Sequence, residues 1–156
     1  MTTSTRYTCN YQLAGYSFEC RDEMGAIDFP SFVKSFEGFP WGGQMRQREK
    51  MAGGCSATIS VVDKEQDLVC WVSVMGNDLR PTFLLGLVYN KKLRKSPRVE
   101  VPGVIRWCEI RIAPSRRSVP STLRIFFTGD TRKLMKQFRT YKLYDRHETM
   151  MLIPEP

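Results

Sequence analysis

A single histidine, His147, stands beside Glu148 near the end of a chain of 156 residues. Five cysteines, Cys9, Cys20, Cys55, Cys70 and Cys108, are spread through the rest. The one nucleophilic couple these residues permit is a thiolate activated by an imidazole, which requires His147 to meet a cysteine in space. Nothing next to His147 orients its ring, so it reads as an exposed tail residue. Gly53-Gly54-Cys55-Ser56 puts small residues around a thiol. An exposed nucleophile turn, however, follows a strand and opens a helix, and this segment instead reads as a bend before a strand. The cysteines are odd in number and contain no C-x-x-C pair, so neither a zinc site nor a disulfide framework is expected. Cys70 and Cys108 sit among alternating apolar residues and are expected in the core. Cys9 and Cys20 face each other across a predicted hairpin and would stay reduced in a cytosol.

Phosphate and metal chemistry fare no better. The chain has neither G-x-x-x-x-G-K-[ST] nor G-x-G-x-x-G. Gly129-Asp130-Thr131-Arg132-Lys133 could hold an anion at a helix start, but it reads rather as a cap followed by a solvated charged turn. Asp63, Glu65 and Asp67 cluster around Lys64 as a hairpin tip, short of the ligands and the placed glycine that calcium needs. No catalytic residue, cofactor or metal is expected.

The basic residues are the feature left over. The net charge is +8, yet residues 1–40 carry three Lys/Arg against five Asp/Glu, and residues 89–146 carry sixteen against four. Lys91, Lys92, Arg94, Lys95 and Arg98 occupy one predicted loop, and Arg116 and Arg117 another. Such loops are either a solubilising surface or a docking site for an acidic partner, protein or nucleic acid. Tyr89 and Trp107 are the aromatic residues near this charge that could stack bases. Trp41 is either an exposed anchor for a partner or a lid over the core.

The elements that must position these residues are those of one α+β domain spanning 1–156, with tails at 1–6 and 148–156. A chain of this length buries enough surface to need no staple. Two strands, Tyr7–Leu13 and Tyr16–Arg21, are predicted around Ala14-Gly15. A helix follows, capped by Asp28 and stopped by Gly38, with Phe29, Phe32, Val33 and Phe36 on one face. Phe39 to Gly43 is predicted as a turn. Ser56–Val61, Leu68–Val74 and Thr82–Tyr89 form an antiparallel meander, the last strand covered on both faces. Val104–Ile112 is predicted as a strand with Cys108, Ile110 and Ile112 inward and Glu109 and Arg111 outward. Ser118–Gly129 suits helix better than strand, and Asp130 or Thr131 caps a last helix bearing Leu134, Met135 and Phe138. The sum is an antiparallel sheet of about five to six strands packed on two or three short helices. The first ten residues contain no apolar run and no stretch approaches the ~20 residues of a membrane helix, so a cytoplasmic location is expected.

This layout resembles small bacterial immunity proteins. The likeness rests on a helix with Phe32 and Phe36, then Pro40-Trp41, then a meander beginning Ser56-Ala57-Thr58-Ile59-Ser60-Val61. Phe126-Phe127-Thr128-Gly129-Asp130 is similar to the aromatic-aromatic-x-Gly-acidic ending of some immunity proteins paired with deaminase toxins. The resemblance implies a non-enzymatic protein that neutralises a toxin. Many such proteins are acidic, whereas this chain is basic, so the implied partner carries an acidic site. The alternatives are a nucleic-acid-binding module using the basic loops, or a phage-encoded inhibitor of a bacterial defence complex.

Overall fold

A computed structural model describes residues 5–77, 80–90 and 104–151. The chain runs β1 (Tyr7–Gln12), β2 (Asp22–Ala26), α1 (Phe29–Gly38), α2 (Trp41–Glu49), β3 (Thr58–Asp63) and β4 (Leu68–Asn77). It continues through β5 (Arg80–Asn90), β6 (Val104–Ile112), α3 (Ser118–Phe126), α4 (Thr131–Phe138) and β7 (Lys142–Met151). The seven strands form one antiparallel sheet in the order β2-β1-β3-β4-β5-β6-β7. The expected α+β meander is therefore present, with one strand more than the upper expectation and four helices among the described residues.

The helices pack on one face of the sheet. Val61, Cys70, Val72, Leu85 and Leu87 from the strands meet Phe32, Phe36, Val119, Leu123, Phe126, Leu134 and Phe138 from the helices in one apolar core. Helices α1 and α4 are capped by side chains. Asp28 accepts a hydrogen bond from the Ser31 N–H at 2.8 Å, and Asp130 accepts one from the Lys133 N–H at 3.0 Å. Both caps satisfy amides that a first helical turn leaves orphaned. No helix among the described residues is long and apolar enough to cross a membrane.

Four expectations need correction. Of the predicted turn at Phe39–Gly43, residues Trp41 to Gly43 are the start of α2. Gly42 and Gly43 disfavour helix, but Trp41 and Met45, four residues apart, are both buried, and the Gln44 side chain accepts from the Ala14 N–H at 2.7 Å. Tertiary packing outweighs propensity there. The second strand lies at Asp22–Ala26 rather than Tyr16–Arg21, because Gly15 and Tyr16 bond to Cys55 and hold the intervening chain as a loop. Cys9 therefore pairs with Gly25, not Cys20. Residues 148–151 are not a loose tail but the end of β7, paired along β6.

The fourth concerns β6. Leu87 lies opposite Glu109 and Leu85 opposite Arg111, so these two charged residues point toward the helix layer. Cys108, Ile110 and Ile112 occupy the other face. The predicted alternation is right, but its two faces are exchanged, as a pattern of period two permits. On that other face Trp71 lies across Gly86 of β5. A Cβ at Gly86 would come 1.9 Å from the indole Cε2.

Candidate binding surface

Glu109 is fully buried, with 0% exposure, on the helix side of β6 near its middle. An ionised carboxylate in such a place must be paired. Its Oε2 accepts from Arg111 Nε at 3.2 Å and lies 3.8 Å from Arg139 Nε, while Oε1 lies 3.6 Å from Arg146 Nη1. The fold brings these four residues together from three elements. Glu109 and Arg111 alternate along β6, and Arg146 sits directly opposite Glu109 on β7. Arg139 follows α4, whose buried Leu134 and Phe138 dock it on the core.

Arg111 is the innermost cation. It also donates from Nη1 to the Tyr141 carbonyl at 2.8 Å and the Arg139 carbonyl at 3.4 Å, and it lies over the Phe138 ring. Arg139 and Arg146 are half exposed, at 53% and 50%. One carboxylate thus bonds one guanidinium and lies within ion-pair distance of two more, a balance of +2 within these four residues. Exposed Arg132, Lys133 and Lys136 on α4 add positive charge, while exposed Glu148, two residues from Arg146 on the same face of β7, adds one negative charge.

Beside the cluster lies a cavity of about 310 Å³ between α4, the end of β5 and the β3–β4 turn. Leu68, Tyr89 and Met135 form its apolar lining, and Gln66, Asn90, Thr131 and Arg139 its polar side. Gln66 donates to the Gly129 carbonyl at 2.7 Å and also contacts the Thr131 hydroxyl, so that rim is tied in place. Tyr89 lies opposite Trp107 on β6, and the Arg146 guanidinium sits 5.9 Å from the centre of the Trp107 ring.

The residues singled out in sequence fare differently. Lys91, Lys92, Arg94, Lys95 and Arg98 lie outside the described residues. Arg116 and Arg117 follow the end of β6, whereas residues 91–103 precede its start in the chain. At about 3.3 Å per residue, the strand keeps the two attachment points well over 20 Å apart. Arg116 is exposed yet anchored. Its guanidinium lies 5.1 Å from the Phe36 ring and 5.6 Å from the Phe83 ring, and it pairs with Glu37 at 3.5 Å. Arg117 is exposed at the start of α3.

Trp41 is not an exposed anchor. It is 3% exposed, packs against Phe36, Phe39 and Phe83, and donates from its indole N–H to the Phe36 carbonyl at 3.0 Å. It is the lid over the helix–sheet core. Sequence reasoning missed Glu109 and its arginines, because a residue two positions from another charge on a strand reads as solvent-facing. The only available signal was that Leu85 and Leu87 also need a partner strand on their own face.

The thiols and the histidine are placed as follows. Burial pushes the Cys9 thiol up to about 12 and raises those of Cys70 and Cys108, so all three stay protonated near neutrality. Cys20 is exposed and Cys55 partly so. His147 is exposed on β7, with Nδ1 3.1 Å from Asp145 Oδ2, and its strand partner is Cys108 on the face away from the helices. Compared with family models, curated proteins and solved structures, the chain matches none of them.

Proposed function

We propose that this protein is a non-enzymatic binding protein that occludes an acidic site on a partner protein, as a toxin-neutralising immunity protein does. The observation that carries this reading is the buried Glu109 holding Arg111, Arg139 and Arg146 in one array. Here Glu109 bonds Arg111 directly and draws Arg139 and Arg146 to within ion-pair distance, while neutralising only one of the three. Burying that carboxylate costs desolvation free energy, and its return is a preorganised positive surface. Arginine held in this way loses little further freedom when it meets a carboxylate, and its planar fork suits a bidentate pair. Charge of one sign on one side also steers the encounter and makes it salt-dependent. The first half of the described chain, slightly acidic, would repel the same partner and favour a single docking orientation.

The test is a pull-down with the tagged chain, repeated after nuclease treatment, at raised salt, and with Arg139→Glu/Arg146→Glu. The expected result is an acidic protein that survives nuclease, is lost as salt rises, and is not recovered by the double variant. Cross-links should map to α4 and β7. Recovery of nucleic acid alone, or of a protein indifferent to the charge reversal, would overturn the reading.

A further inference from the structure

We infer that the cavity between α4 and β5 is a receiving slot for one large apolar side chain of the partner, flanked in that partner by carboxylates. This rests on the binding role proposed above and names the chemistry of the contact. The slot has the size and lining for such a guest. Its volume is about 310 Å³, and its walls are Leu68, Tyr89 and Met135. Phe and Trp are the usual anchors of such pockets, because they bury a large area with few rotamers to freeze.

The surroundings specify what must flank the anchor. Arg139 stands on the rim, and Arg146 lies beyond it beside Glu109 and Trp107. Thr131 opens the rim at the other end of α4, next to exposed Arg132 and the Asp130 cap. A segment crossing the slot along α4 therefore passes Arg139 on one side of its buried residue and Arg132 on the other. Carboxylates at those positions would pair with them, whereas lysines would be repelled.

A nucleobase is the competing guest, since Tyr89 and Trp107 lie side by side on neighbouring strands. Stacking of successive bases needs open ring faces. One face of Trp107 already carries the Arg146 guanidinium, and Arg111 is committed to Glu109 and two carbonyls. That leaves Tyr89 as a single platform at the wall of an apolar slot, which favours a peptide.

The experiment uses fluorescence anisotropy at low salt with the full chain and three labelled probes. These are a heptapeptide of Asp and Glu with one central Phe, the same peptide with central Ala, and a single-stranded oligothymidine. The Phe peptide should bind about tenfold or more tightly than the Ala peptide, the ratio expected for burying one large apolar side chain. Met135→Lys, which fills the slot while keeping the surface basic, should abolish that ratio but leave weak binding of both peptides. Arg139→Glu/Arg146→Glu should weaken both. Because the Phe-to-Ala comparison is made on the wild-type chain, it decides the matter even if Met135→Lys folds poorly.

Equal binding of the two peptides, with sensitivity to the charge reversal, would refute the slot and leave the basic docking surface standing. Binding of both peptides indifferent to the charge reversal would count against the docking surface itself. Tighter binding of oligothymidine than of the Phe peptide, dependent on Tyr89, would overturn the inference in favour of nucleic acid.

Discussion

Replacing Glu109 by Gln keeps the shape of the side chain and removes its charge, leaving Arg111, Arg139 and Arg146 to face one another without a counter-ion. At an effective dielectric near 20, a pair 3.2 Å apart interacts by about 5 kcal/mol, and pairs near 3.7 Å by slightly less. Those are gross terms. Removing one partner of a buried pair typically costs about 3–5 kcal/mol net. Two discounts apply here. Arg139 and Arg146 are half exposed, so water and salt already screen much of their attraction. Arg111 keeps its bonds to the Tyr141 and Arg139 carbonyls in the variant. The expected loss is therefore about 2–3 kcal/mol, close to a 1 M drop in the urea midpoint for an m-value near 2 kcal/mol/M. Urea unfolding followed by circular dichroism would measure it. Salt supplies the second axis, because mutual repulsion of three unpaired guanidiniums relaxes as the Debye length shrinks. Glu109→Gln should regain stability between about 0.05 and 0.5 M NaCl more steeply than the wild type does. A loss below about 0.5 kcal/mol with an unchanged salt response would show that Glu109 does not hold the array together.

Gly86→Ala should destabilise the protein by about 1–3 kcal/mol, because its Cβ would collide with the Trp71 indole. The same change made in a Trp71→Ala background should be close to neutral, and equal penalties in both backgrounds would refute the contact. Trp41→Ala should cost about 3–5 kcal/mol in a melt while leaving the peptide affinity of the folded fraction unchanged, since Trp41 is buried in the core. A stable variant with weakened binding would instead restore Trp41 as a partner contact. With a thiol reagent near pH 8, Cys20 and Cys55 should react quickly, and Cys9, Cys70 and Cys108 only on unfolding. Folding raises the Cys9 value above its unfolded range. The stability this gives is thus complete below about pH 8.5 and is lost as pH rises toward about 12, which alkaline urea melts would detect.

What could be read from the chain was whatever repeats within a few residues. The Asp28 cap, the Phe32/Phe36 face, the β4–β5 meander and the α4 cap at Asp130 each declare themselves locally, and the structure keeps them. The failures share a different cause. Helix α2 contains two glycines and exists because Trp41 and Met45 find a core made by distant strands. Strand β7 is an edge whose side chains at Lys142 to Glu148 are all exposed, so no hydrophobic period marks it and its pairing to β6 is a matter of backbone bonds. Glu109 and Arg111 alternate as a strand should, but alternation says only which residues share a face, and the neighbouring strand decides which face is covered.

That last distinction governs the candidate site as well. The excess of basic residues is visible in the sequence as clusters in the chain, Lys91 to Arg98 and Arg116 with Arg117. The structure instead converges on basic residues that are separated in the chain, Arg111, Arg139 and Arg146, and it does so around a carboxylate. Clusters along a chain can arise from a loop's need for solubility alone. Convergence of three arginines on one buried counter-ion requires a helix, two strands and their register to agree, and those elements are held in place by other means, α4 by its buried Leu134 and Phe138 and β7 by its backbone pairing with β6. Arg139 is positioned by the docking of Phe138, Arg146 by pairing with β6, and Arg111 by the Tyr141 carbonyl. The surplus charge is therefore supported by the rigid part of the fold and borders its apolar slot. A surface meant only to stay wet needs neither, whereas one that must recognise an acidic segment through a buried anchor needs both.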